Sequence, residues 1–442
     1  MGFEIDKQSI RDLELFNINR NEKSVFDFFN YTESNGGNDL LRKFFTSPSN
    51  DLNQLNERVE AIKFFIDNRP AFRIEKERLD FIEYYLTRPV YSGPFKSLHS
   101  IWMALKNFFR QSNDYYVLLK GTKDIIYFLN ELRIFASYEN KKFPDSQLIK
   151  KKKSEISEII ENSELKVINK LKGKETFLPY EYLSLSIIFR KTEVENLRKI
   201  LYHVYEIDVI KALAYAANRH RFTTPDYSEQ KSYISAMGVF HPFLKNPVVN
   251  DIEFNSRKNL CFITGPNMAG KSTFLKSICI CIYLSHIGFP VPAHRFTTSV
   301  FCGLITTINL PDNLNKGYSH FYNEVLRVKY AAEKVAQLEN VFVVFDELFR
   351  GTNIKDAYDA SLLTITELSK LNKSVFAIST HIVEIADQIR NMPSVFFRYF
   401  EANLVNESPQ YNFKAKEGVT NERIGLYILK KEKVIDIIRN AQ

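Results

Sequence analysis

Residues Gly265 to Ser272 read G-P-N-M-A-G-K-S, and this match to G-x-x-x-x-G-K-[ST] restricts the fold more than any other string in the 442-residue chain. The motif works only between a strand and a helix. Asn259 to Thr264 supplies a short apolar run before it, and Thr273 to His286 a helical pattern after it. Phosphate oxygens need closely packed donors. Glycines let loop N–H groups approach them, and the N-terminus of the following helix adds its positive dipole end. The predicted nucleotide-binding residues are Gly265, Pro266, Asn267, Met268, Ala269, Gly270, Lys271, Ser272 and Thr273. Lys271 would neutralise the β and γ oxygens, and the Ser272 hydroxyl oxygen would bind Mg2+.

Two more apolar strands are predicted. Asn340 to Phe345 runs into Asp346-Glu347, and Ser374 to Ser379 into Thr380-His381. Mg2+ prefers hard oxygen ligands and keeps several waters, so Asp346 is suited to hold it directly or through water. Glu347 would polarise the attacking water, since hydrolysis of a γ-phosphate is mostly a problem of positioning and charge. His381, just past a strand end, would lie near the γ-phosphate if the strands are neighbours. Helical stretches at Tyr322 to Leu338 and Asp356 to Leu371 separate the strands, and the alternation indicates an α/β domain with a largely parallel, doubly covered sheet.

The first 230 residues read differently. Leu55, Val59, Ile62, Phe65 and Ile66 follow helical spacing, and similar periodicity recurs through Leu98 to Phe109, Ile125 to Tyr138, Ile149 to Leu171 and Thr192 to Ala217. Breaks are predicted at Pro89 to Pro94, Phe143-Pro144 and Phe177 to Pro179. A hydrophobic content of 45% supports a sizeable core and excludes disorder. No apolar run approaches the roughly 20 residues of a membrane span. The N-terminus has no basic region leading into an apolar core, so a cytoplasmic location is expected. Cys261, Cys279, Cys281 and Cys302 form no C-x-x-C pair and read as buried, reduced thiols. Lys+Arg number 60 against 52 Asp+Glu, a formal charge of +8, and the excess is concentrated mid-chain, where residues 81–200 hold 21 basic and 14 acidic side chains. Within that stretch Lys150 to Lys153 is either a solvated helix face or a phosphate-backbone contact.

TGPNMAGKST (Thr264 to Thr273), DELFRGTN (Asp346 to Asn353) and STH (Ser379 to His381) together resemble the ATPase domain of the MutS mismatch-repair family. Ser319 to Glu324 (SHFYNE) resembles that family's signature loop, Glu417 to Ala441 its terminal dimerising helices, and Asp39 to Ile66 the start of its helical core. The resemblance covers about residues 20 to 70 and 207 to 442. It implies a multidomain chain: an all-α core and short lever over 1–230 (lever about 89–206), an α/β P-loop ATPase domain of the ABC type over 231–416, and a dimerisation segment over 417–442. It also implies ATP and Mg2+, with Glu347, His381 and Lys271 catalytic and Ser272 and Asp346 on the metal. Ser319, with Glu324 in the same signature, would act on the nucleotide of the opposite subunit. The implied function is a homodimeric ATPase switch that moves helical arms and binds DNA in repair or recombination. An ATP-gated interaction scaffold with weak turnover is the alternative.

The chain departs from the family pattern in three places, and one matching string carries no weight. It begins at the helical core, so the mismatch-reading and connector domains have no counterpart, and DNA binding without mismatch specificity is expected. Phe81-Ile82-Glu83 fits the family's F-x-E wedge as a string but lies in a helical stretch and reads as chance. Between Pro89 and Ile207 no strand-rich clamp is evident. Phe349 stands where the family has glycine after D-E-L, which bears on the efficiency of a composite site rather than on nucleotide binding.

Overall fold

Strands without polar alternation fit only where both faces are covered, and the runs Leu260–Thr264, Val341–Phe345 and Val375–Ser379 are buried at all five positions each. A computed structural model of the protein describes residues 2–17, 23–68, 75–88, 113–138, 146–171, 174, 176–308, 320–405, 408–420 and 437–439. The chain divides into two units, one built from residues 1–29, 45–59 and 216–442 and the other from 30–44 and 60–215.

The strands are β1 Glu4–Ile5, β2 Asp226–Ser228, β3 Ile234–Val239, β4 Asn250–Phe254, β5 Leu260–Thr264, β6 Arg295–Ser299, β7 Gly303–Thr307, β8 Val341–Phe345, β9 Val375–Ser379, β10 Val395–Tyr399, β11 Ala402–Val405, β12 Ser408–Tyr411 and β13 Lys416–Glu417. The main sheet runs β1-β7-β8-β9-β5-β10-β13, and β2-β6-β3-β4 form a smaller one. Every pairing in the main sheet is parallel except that of β13. The helices Lys271–Ser285, His320–Gln337 and Ile354–Ser369 alternate with these strands within two residues of their predicted limits. The three strands read from sequence, β8, β9 and β5, are consecutive neighbours, with Phe345 beside Ile378 and Ser379 beside Ile263. Their carboxyl ends therefore share one edge of the sheet.

The other unit is helical. Leu118, Ile125, Leu129 and Leu132 form the buried stripe of helix Asn113–Ser137, and Leu79, Ile82, Tyr85 and Leu86 that of helix Lys76–Thr87. The Phe81-Ile82-Glu83 string lies inside the latter helix, where Ile82 is buried and Glu83 accepts the Tyr205 hydroxyl. Buried Asp208 accepts the N–H groups of Glu33 and Ser34 at 3.0 and 2.8 Å, closing the start of helix Asn35–Phe45. The lysine run falls on helix Gln147–Glu161, and at about 100° per residue four consecutive side chains cannot share a face. Lys150 and Lys151 are exposed, whereas Lys152 is buried against Glu206, and Lys153 is buried with its Nζ donating to Tyr138 O at 2.6 Å. Half of the run is thus neither a solvated face nor a backbone contact.

The unit boundaries differ from a division at residue 230, because the first residues of the chain belong with the sheet. β1 lies alongside β7. Asp6 pairs with Arg327, and Arg327 also donates to Thr306 O at 2.7 Å and to Thr307 Oγ1 at 3.2 Å. Asp12, buried at the end of helix Lys7–Asp12, accepts Thr306 Oγ1 at 2.7 Å and Ile308 N–H at 3.0 Å. These buried polar groups find partners on β7, at Ile308 just past it and on helix His320–Gln337, which holds the segment there. The helix predicted at 98–109, the breaks at 89–94 and 143–144, Ser319, and most of 417–442 lie outside the described residues.

Candidate phosphate-binding site

The loop from Gly265 to Gly270 follows β5 directly and enters helix Lys271–Ser285. Gly265 has φ +142°, and a Cβ there would stand 2.5 Å from Phe400 O, so only glycine fits. Gly270, at φ +108°, turns the chain into the helix. The first helical N–H groups have no intrahelical acceptor and remain available to an anion. Lys271 is largely buried, and its Nζ donates to Gly265 O at 2.8 Å and Pro266 O at 3.0 Å, arching over the loop. Burial pushes its pKa down, while Asp346 and Glu347 pull it up.

β8 delivers the two acids. Asp346 N–H donates to Thr307 O at 2.9 Å, and its carboxylate accepts the Ser379 hydroxyl. Glu347 adopts φ +58°, a left-handed backbone that a glutamate rarely takes. Its carboxylate meets His381 Nε2 at 2.7 Å and Arg350 Nη1 at 3.1 Å. The hydrogen bond from His381, with Arg350 behind it, holds the Glu347 carboxyl down to about 2 although burial pushes the other way. A depressed carboxyl contributes stability above its ordinary value of 4.5 and loses it as pH falls toward 2, so the Glu347 carboxylate is ionised at neutral pH.

Lys271, Ser272, Thr273 and Glu347 open into one cavity of about 350 Å3 with Asn267, Met268 and Gly270. Leu244, Val248 and Phe413 give it an apolar wall, and His241 also lines it. Asn250 fixes that wall: its Nδ2 donates to Phe413 O at 3.0 Å and its Oδ1 accepts Ala415 N–H at 2.7 Å. Burial, helped by the charge of Lys276, lowers the His241 pKa to about 4 and leaves the ring neutral. A lysine, two hydroxyls and the Glu347 carboxylate together with an apolar wall make a donor set suited to a metal-bound nucleotide. Pro266 and Ala269 complete the loop, with Ala269 N–H on Pro266 O at 3.4 Å.

Of the two signature residues, only Glu324 lies within the described residues. It is buried near the start of helix His320–Gln337, and its Oε2 accepts Gly351 N–H at 3.2 Å in its own chain. Burial raises its pKa. Glu324, Asp346, Glu347 and Phe349 line one small cleft. Among the described residues no cluster of His, Cys, Asp and Glu could hold a metal by itself, and the four cysteines are free.

Sequence reading gave no role to Ser379, which touches both acids, or to Val248 and Phe413. Ser379 could have been found as the last residue of the strand neighbouring the acid strand. Phe413 lies in no motif and carried no signal.

Residues 261–442 match the family description MutS domain V, and residues 8–214 match MutS domain III. The second match reaches well beyond residue 70, into the helical stretch where motifs gave no resemblance. DNA mismatch repair protein MutS from Geobacillus sp. (strain WCH70) is 26% identical over 315 residues, covering 67% of this chain and 36% of that protein. The protein of that name from Listeria welshimeri is 27% identical over 315 residues, with the same two shares. That from Geobacillus thermodenitrificans (strain NG80-2) is 28% identical over 293 residues, covering 61% and 32%. The chain spans about a third of the length of these relatives.

Proposed function

Because the chain belongs to the MutS family, we propose that it is a Mg2+-dependent ATPase of P-loop, ABC-type fold that works as a homodimeric switch and binds DNA. One observation carries the reading: the phosphate loop, the acid pair and His381 follow three adjacent parallel strands and converge at one sheet edge, with Glu347 and His381 2.7 Å apart.

In this proposal the N–H groups of Gly265 to Thr273 cradle the phosphates, and Lys271 leaves the loop carbonyls to meet the β and γ oxygens. Ser272 and Asp346 hold Mg2+, which when bound neutralises charge on those oxygens. Glu347, ionised at neutral pH, orients the attacking water and takes its proton, while His381 keeps the carboxylate aimed. The base rests against Val248 and Phe413. Ser319 reaches the nucleotide of the second subunit, and residues 417–442 join the subunits. Met268 and Ile354, 77% and 82% exposed on the sheet unit, suit the same interface. DNA binding is proposed without mismatch specificity, and a cytoplasmic setting fits free thiols.

Steady-state phosphate release, with and without duplex DNA, tests the reading. The wild-type chain releases phosphate only with Mg2+, Lys271→Ala loses tight ATP binding, and Glu347→Gln binds ATP but slows by about 100-fold or more. Glu347→Gln at the wild-type rate would remove the assigned base. A second reading, a nucleotide-gated scaffold with weak turnover, draws on Phe349, a large buried residue held at φ +58° beside the acids. Nucleotide binding with no phosphate release in either condition would favour it.

A further inference from the structure

The acid pair hangs on one serine. Ser379, the last residue of β9, is fully buried, and its hydroxyl makes two contacts at once: it donates to Asp346 Oδ1 and accepts the Glu347 N–H at 2.9 Å. Its carbonyl oxygen accepts the Leu348 N–H at 3.2 Å. Three consecutive residues after β8 are therefore tied to a single position on the neighbouring strand. The middle one needs the tie most. At φ +58° the Glu347 backbone has left the extended conformation, so its N–H is no longer aimed along the sheet ladder. A hydroxyl is the smallest group that is donor and acceptor together. Alanine offers neither function, and threonine offers both.

We propose that Ser379 is the positioning residue of the acid pair. Its donated bond occupies one oxygen of Asp346 and leaves the other for the metal, and its accepted bond holds Glu347 in the left-handed turn from which the side chain reaches His381. The inference rests on the ATPase reading and deepens it: His381 aims the Glu347 carboxylate from its far end, and Ser379, two residues earlier on the same strand end, aims it from the backbone.

The test compares wild type, Ser379→Ala and Ser379→Thr in the full chain by steady-state phosphate release and by binding of a fluorescent ATP analogue titrated with MgCl2. Ser379→Ala is expected to lower kcat roughly 10- to 100-fold with KM changed less than about threefold. The affinity for metal-free analogue stays the same, while the Mg2+ concentration that half-tightens binding rises at least about threefold. Ser379→Thr keeps kcat within about threefold of wild type. Should Ser379→Ala not fold, Ser379→Cys, close to serine in size with a far weaker donor, is expected to show the same losses. Turnover and Mg2+ midpoint of the hydroxyl-free variant within about twofold of wild type overturn the inference. Equal loss in the alanine and threonine variants, tracking a lowered thermal midpoint, overturns it too. If wild type itself releases no phosphate, the ATPase reading fails separately, and an unshifted Mg2+ midpoint in the hydroxyl-free variant then decides against Ser379.

Discussion

Phe349 is held at φ +58°, where a side chain with a Cβ costs about 1–2 kcal/mol relative to glycine. Its ring is nonetheless buried and stands 5.6 Å from that of Phe321. Removing a buried aromatic side chain costs about 3–5 kcal/mol, more than the backbone relief returns. Phe349→Gly is therefore expected to destabilise the chain by about 2 kcal/mol, read as a lower urea midpoint. A midpoint at or above wild type would mean that the strain outweighs the ring contact. The neighbouring Gly351 accepts no side chain at all, since a Cβ would stand 2.7 Å from Phe321 N. Residue types at the phosphate loop were legible because their chemistry demands glycine, lysine and a hydroxyl in fixed order. The left-handed turns at Glu347 and Phe349 were not, because neither residue type signals such a conformation.

Among elements, the five-residue strands were legible as apolar runs and the helices between them from periodicity, and their limits hold within two residues. β1 was not, since two residues carry no period. The helix that follows it has a clear start, with the Asp6 side chain accepting Ser9 N–H, but its destination depends on partners about 300 positions away. Asp12 is the test of that docking. Its two oxygens accept from Gln8, Thr306 and Ile308, so an amide in its place turns one acceptor into a donor facing a donor. Asp12→Asn is expected to cost about 1–3 kcal/mol. Thermal unfolding at neutral pH checks it, and an unchanged midpoint would show that the Asp12 contacts contribute nothing to stability.

At the scale of the whole molecule, the charge of +8 was visible at once but its placement was not. Burial of Lys152 and Lys153 removes two of the four charges that a contact through Lys150 to Lys153 would use. Filter binding to DNA at rising salt is expected to weaken linearly in log salt, and replacing Lys150 and Lys151 by alanine to reduce the slope by about 1–2. Lys152→Ala should leave the slope alone while lowering stability. No retention at low ionic strength would remove DNA from the proposed function. Strand order was likewise beyond reach of sequence, since nothing in an apolar run says which other run lies beside it. Only a histidine and an acid pair needing one phosphate between them hinted that β8, β9 and β5 are neighbours.

The place of β1 also sets where the chain can be cut. A fragment starting at residue 216 or 231 looks complete by motif, yet it would strip Glu4 and Ile5 from β7 and leave the Ile308 N–H without the Asp12 carboxylate. The bared border of the sheet is a template for another chain's strand, and adhesion between copies would be mistaken for the proposed dimer. Any shortened form meant to report on subunit association has to carry the first fifteen or so residues with it, on the same polypeptide or added back as a peptide.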